Sequence, residues 1–256
     1  MRAARPTAAL AVACVLALAT GCGSQPKVPH GNPDNRHGAQ IVDLYSAVEL
    51  LRALVIASSD SYYAGGSESD ARTQLERARA AYDQLAGRVR AANPVLDHEV
   101  VVRFDLIAAL LRKGVRPDRY RDLAGPLGDQ LMDGVSQALV PQAARTDPGV
   151  QAEALRRIAL RLAATYDAAS SPATDTPSRL AFEEAWGLWR RAQALDLVLG
   201  ARLGNQQGRV TNALNNLRGP AFPKGPIAPD SPNSAKVDAA ATRVQRALDK
   251  RFALVS

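Results

Sequence analysis

Aromatic side chains are scarce in this 256-residue chain: two Trp, six Tyr and four Phe, 5% in all. Alanine, leucine and arginine are abundant instead. These residues lose little on entering a helix, whereas strands favour β-branched and aromatic side chains, so the balance argues for a helical fold. Cysteine is nearly absent, with only Cys14 and Cys22, which leaves no disulfide framework and no CxxC metal site. Histidine occurs three times, at His30, His37 and His98, and no HExxH, ExxH pair, GxSxG or phosphate-cradling glycine loop is found. No stretch after the N-terminus is long and apolar enough to span a bilayer, which takes roughly 20 residues. The formal charge is +7, but acids are interleaved throughout and no Lys/Arg block alternates with aromatics. That pattern argues against nucleic acid as a partner.

The N-terminus reads as a processing signal. Arg2 and Arg5 form a positive region without an acid, Thr7 to Thr20 is a short apolar run, and Ala19-Thr20-Gly21 supplies small residues ahead of Cys22. Residues 1–21 are therefore expected to be a signal peptide, whose removal leaves a charge of +5. Leu18-Ala19-Thr20-Gly21-Cys22 resembles the lipobox of bacterial lipoproteins, although a larger aliphatic is commoner where Ala19 stands. The resemblance implies that Cys22 carries diacylglycerol, becomes the mature N-terminus and holds the protein on a membrane on the extracytoplasmic side. Cys14 would leave with the leader, so no internal disulfide forms and stability must come from burial.

Residues 22–39 follow as a tether: "GSQPKVPHGNPDNRHGA" has three prolines and almost no apolar side chains. His30, Asp34 and His37 lie in it, with nothing to orient them as metal ligands. From Gln40 the pattern is helical. Ile41, Leu44, Tyr45, Val48, Leu51 and Val55 recur at three- and four-residue steps. Ser69 or Asp70 is expected to cap the next helix, with Leu75, Ala78, Tyr82, Leu85 and Val89 inward. Asn93-Pro94 starts a third helix, and a fourth is kinked or restarted at Gly125-Pro126. Asp147-Pro148 and Pro177 open two more long helices, and shorter ones hold Val210 and Leu214, then Val237 to Phe252.

At an offset of 104, Leu51, Leu54 and Tyr62 fall on Leu155, Ile158 and Tyr166; at 107, Leu75, Ala78 and Tyr82 fall on Phe182, Ala185 and Trp189. The fold expected is all-α, about eight amphipathic helices in two similar four-helix units, 40–141 and 147–256.

Two stretches carry candidate site residues. Asp97, His98 and Glu99 are adjacent and so project in different directions on a helix, which keeps them from converging on one ion. In "AFEEAWGLWRRAQ", Trp186 and Trp189 share one side of a helix with Glu183. This is a candidate ligand pocket of two tryptophans and one carboxylate. The competing reading makes the tryptophans core fillers and pairs Glu183 with Arg190 or Arg191 at the surface. No base with an orienting partner is recognisable, so enzymatic activity and a cofactor are not expected.

The stretch from Tyr62 to Leu123 resembles the helical extracytoplasmic domains of bacterial high-affinity iron permeases. The likeness runs through Tyr63 and Gly65, Ala78 to Tyr82, Asn93-Pro94 with Leu96, and Arg112 to Gly114. The acidic iron motifs of the permease membrane segment are absent, as is the GxHxxE pattern of imelysin-type lipoproteins. The resemblance implies an envelope module beside metal transport, without naming an iron site. The expected function is to bind or scaffold another envelope protein; the alternative is a small-ligand or iron-binding lipoprotein.

Overall fold

The computed structural model describes residues 33, 37–170, 175–230 and 232–254. The signal peptide, Cys22 and most of the tether lie outside them. Among the described residues there is no strand, and no helix is long and apolar enough to cross a membrane.

Among the described residues, eight helices of two or more turns make the fold. They are α1 (Ala39–Tyr63), α2 (Glu68–Ala92), α3 (Pro94–Arg112), α4 (Pro117–Pro126, continued through a π-helical turn, Leu127–Leu131, into Met132–Leu139), α5 (Pro148–Ala168), α6 (Thr176–Leu199), α7 (Gln207–Asn215) and α8 (Ser234–Phe252). Single turns stand at Gln142–Arg145 and Arg218–Ala221, and a 3₁₀ segment, Gly200–Gln206, joins α6 to α7. The all-α architecture follows from the alanine- and leucine-rich periodicity.

Local chemistry sets the boundaries. Asn93 accepts from the Leu96 N–H at 3.0 Å, with Pro94 in the first turn of α3. Asp147 accepts from the Gly149 N–H at 2.6 Å above α5. Both are caps that satisfy otherwise orphaned donors. One cap differs from expectation: Ser67, not Ser69 or Asp70, starts α2, accepting from the Asp70 N–H at 3.0 Å. At Pro126 the missing N–H leaves one helical bond unmade, and the wider π turn follows directly. That turn sets Gly128 against α1, where an added Cβ would stand 3.3 Å from Val55.

Two described residues of the expected tether, Pro33 and His37, lie against the domain. Pro33 is buried, and His37 Nε2 lies 2.9 Å from Asp147 Oδ2, on the carboxylate that caps α5. The chain therefore enters the domain beside the start of α5.

Helix α1 is the axis of the molecule. It packs on α2 and α4 on one side and on α5 and α6 on the other. It is accordingly buried around most of its circumference, Ser46, Glu49, Arg52 and Ser58 included, rather than along one stripe. The crossing with α6 is close enough to demand glycine: a Cβ on Gly187 would lie 2.1 Å from the Ala53 carbonyl oxygen and 3.0 Å from the Ala57 Cβ.

Contacts within the two halves run in the same order. Helix α1 packs on α2 and α4, and α3 lies against α2 and α4. Likewise α5 packs on α6 and α8, and α7 lies against both of these. Each half also has a Glu-Arg pair one turn apart on its first helix, with the glutamate buried. Glu49 faces Arg52 and is bonded by Arg191 from α6, while Arg52 reaches Asp133 on α4. Glu153 takes Arg156 in a fork, 2.7 and 2.8 Å, and Arg157 at 2.8 Å. Arg157 continues to Asp43 of α1 at 2.6 Å, tying the halves together.

Candidate functional site

Helix α6 carries Glu183, Trp186 and Trp189, and the structure sends the three to different places. Trp189 is a core residue. Its ring is stacked 5.2 Å from Phe222, and its indole N–H donates to the Leu214 carbonyl at 2.8 Å. Phe182, Tyr166 and Trp186 complete this aromatic core, with Trp186 4.9 Å from Trp189. Burying such rings contributes about 1.5–3 kcal/mol each, so the cluster holds α5, α6 and the loop before α8 together.

Glu183 is neither at the surface nor paired with Arg190 or Arg191. It is buried between α6 and the end of α1, where the Ser61 hydroxyl donates to its Oε1. Its Oε2 has no partner. Burial is the main reason its carboxyl is pushed up to about 7; the Ser61 hydrogen bond opposes the shift only in part. Beside it Gln74 donates to the Leu180 carbonyl at 2.6 Å, and Arg179 pairs with Asp70 at 3.5 Å.

Trp186 is buried on one face, but its outer edge forms the wall of a cleft of about 520 Å³. The end of α1 contributes Asp60 and Tyr63, the start of α4 Arg121, and α6 Arg190. Arg218 and Lys224 come from the segment before α8. The site thus lies between the two halves. Four cations and one acid line it, and the acid is already engaged. Asp60 Oδ2 accepts the Trp186 indole N–H at 3.0 Å and has Arg190 Nε at 3.9 Å. The Arg121 guanidinium lies 4.3 Å above the exposed Tyr63 ring. Lys224 Nζ lies 3.6 Å from Asp230 Oδ2, whereas neither Arg121 nor Arg218 has an ion-pair partner among the described residues. Gly225, at φ +72°, turns the chain past the Trp186 ring, 3.9 Å from where its Cβ would be.

Such a lining is chemically complementary to a negatively charged group. Guanidinium forks match carboxylate or phosphate geometry, and the indole and phenol faces admit a planar or apolar body. A metal cation would meet net positive charge there. The other candidates do not assemble a metal site either: His98 is exposed, and Asp97 is buried under the Tyr82 hydroxyl (2.8 Å) and Arg90 (2.7 Å). Among the described residues no three His, Cys, Asp or Glu side chains are grouped to hold an ion.

Sequence reasoning located one wall of this cleft, Trp186, and missed its charges. Asp60, Arg121, Arg190, Arg218 and Lys224 come from four segments with no common spacing. Helix α1 runs four residues into "DSYYAGGSESD", to Tyr63, before the chain turns at Gly65 and Gly66, and so presents Asp60 and Tyr63 to the cleft. Comparison of the chain with protein-family models, curated proteins and solved structures finds no match.

Proposed function

We propose that this is a lipid-anchored, extracytoplasmic and non-catalytic helical protein that binds or scaffolds another cell-envelope component. Its cleft between the halves receives an anionic group of that component. The cleft's charge carries the reading: Arg121 and Arg218, without ion-pair partners among the described residues, stand with the paired Arg190 and Lys224 beside the Trp186 edge. The lipobox-like segment ending at Cys22 supports the anchor. The chain enters at the start of α1 and the cleft lies at its far end, 25 residues on, about 37 Å at 1.5 Å per residue. A site so placed faces away from the anchor, toward a partner. The likeness to iron-permease domains makes a membrane transporter the first partner to try.

Capture from solubilised membranes tests the binding role. The wild type is expected to retain an envelope protein that the variant Arg121→Glu/Arg190→Glu/Arg218→Glu loses, with an unchanged melting temperature in the variant. Recovery of the bait alone would overturn it. Fatty-acid labelling tests the anchor: label on the wild type, none on Cys22→Ser. A second reading, a receptor for a small ligand, draws on the Trp186 wall, which suits an aromatic or apolar anion. A melting-point rise with small carboxylates or organic phosphates, and none with Fe, Cu or Zn, would favour it, because a ligand selective for the native state stabilises that state.

A further inference from the structure

A second basic surface lies away from the cleft, along the seam of α7 and α8. Lys236, Arg243, Arg246 and Lys250 stand on one face of α8, and Arg209 faces them from α7. All five are exposed, and together they line a continuous groove floored by Ala213, Ala240 and Ala247. None of the five has an ion-pair partner among the described residues, and no acid lines the groove. The acids of α8 are on other faces: Asp249 turns toward Arg156 of α5, and Asp238 is exposed on another side.

The position of this groove is as telling as its charge. Arg251, next to Lys250, donates to the Arg202 carbonyl at 2.9 Å. Arg202 reaches the Thr146 carbonyl at 3.4 Å, and Thr146 adjoins Asp147, which holds His37 at 2.9 Å. The Lys250 end of the groove is therefore the end at which the chain enters the domain. Leu197, 80% exposed, and Val198, 51% exposed, stand at the same end, on the last turn of α6.

We propose that the α7–α8 groove is a docking face for anionic phospholipid headgroups, which lays this side of the domain on the membrane with its Lys250 end beside the point where the chain enters. Unpaired cations at a surface gain about 1 kcal/mol each near anionic headgroups, and exposed aliphatics beside them enter the interfacial layer. A lipid on Cys22 confines the domain to within at most about 50 Å of the bilayer, the extended reach of the chain to His37. Within that radius the groove sets orientation rather than attachment. The orientation rests on the anchor reading; the headgroup contact does not.

The test uses the polypeptide from Gly23 to Ser256, without leader or lipid, and vesicles of phosphatidylcholine with or without about 30% phosphatidylglycerol. Co-sedimentation is expected with the anionic vesicles only, and is lost between about 0.05 M and 0.5 M salt. Arg243→Gln/Arg246→Gln/Lys250→Gln should weaken it about a hundredfold, at ~1 kcal/mol per cation. The cleft variant Arg121→Gln/Arg190→Gln/Arg218→Gln, which removes the same number of charges elsewhere, should keep it. No binding at low salt, equal binding to neutral vesicles, or insensitivity to the α8 substitutions would each overturn the proposal. Should the triple variant misfold, the single variants Arg243→Gln and Arg246→Gln, each expected to weaken binding about fivefold at ~1 kcal/mol per cation, decide instead. Failure here leaves the fatty-acid labelling result standing, so the two ideas fail separately.

Discussion

The Tyr166 hydroxyl donates to the Ala221 carbonyl at 3.0 Å, joining the last turn of α5 to the single turn after α7. The first half contains its counterpart: Tyr62, near the end of α1, donates to the Val115 carbonyl between α3 and α4 at 2.7 Å. An edge-on aromatic accompanies each, Phe222 at 5.6 Å from Tyr166 and Tyr120 at 5.5 Å from Tyr62. In each half one tyrosine therefore holds the return loop against the first helix. Tyr166→Phe leaves the buried Ala221 carbonyl without that donor and should cost about 1–3 kcal/mol. Tyr62→Phe, at a half-buried site, should cost about 1 kcal/mol. Urea unfolding of both variants measures this, and equal stability with the wild type would refute it.

Gly187 makes a prediction of opposite sign to helix propensity. In an ordinary helix interior Gly→Ala gains about 1 kcal/mol. Here the new methyl would stand 2.1 Å from the Ala53 carbonyl oxygen, so α1 and α6 must move apart. Gly187→Ala should instead destabilise by about 1–3 kcal/mol or more, read as a lower urea midpoint.

Glu183 should make stability depend on pH. Its carboxyl is raised in the folded state from 4.5 to about 7, chiefly by burial, so between these values the folded chain binds more protons than the unfolded. Its contribution is greatest in acid, falls as pH rises from about 4.5 to about 7, and levels off above. Glu183→Gln should flatten that slope and gain up to about 3 kcal/mol at pH 8, measured by unfolding across pH. An unchanged slope would show that the carboxyl ionises freely.

The charge cluster at the α1–α6 crossing should be sensitive to losing its centre. Glu49 is held by Arg191 and Arg52; Glu49 and Arg52 are buried and Arg191 is partly buried. Glu49→Ala strands Arg191 and leaves Arg52 only the exposed Asp133, at an expected cost of about 3–5 kcal/mol. Calorimetry of the variant checks it. A loss under 1 kcal/mol would mean that water reaches the guanidinium groups.

Much of the fold was legible because it is local. Spacing of apolar residues, the Asn93 and Asp147 caps and the break at Pro126 follow from one or two turns of chain. The offset of 104 that aligns Leu51 with Leu155 also carries Glu49 and Arg52 onto Glu153 and Arg156, a signal present in the residue order but easily taken for surface charge. The burial of α1 was less legible. Its stripe of apolar residues is real, but its serines, Glu49 and Arg52 are buried too, because four other helices surround it.

Residue order by itself determined the helical class, the approximate number of helices and most of their inward positions, since these depend on periodicity and capping within a few residues. Tertiary structure decided the fate of Glu183, Trp186 and Trp189, three neighbours on one helix. One is a buried carboxyl, one a cleft wall and one a core ring, according to what α1, α5 and the loop before α8 bring against them. It also gathered the cations of the cleft from three segments and set them around the end of a fourth, α1. Charge at a distance in sequence carries no period, and only packing can add it up.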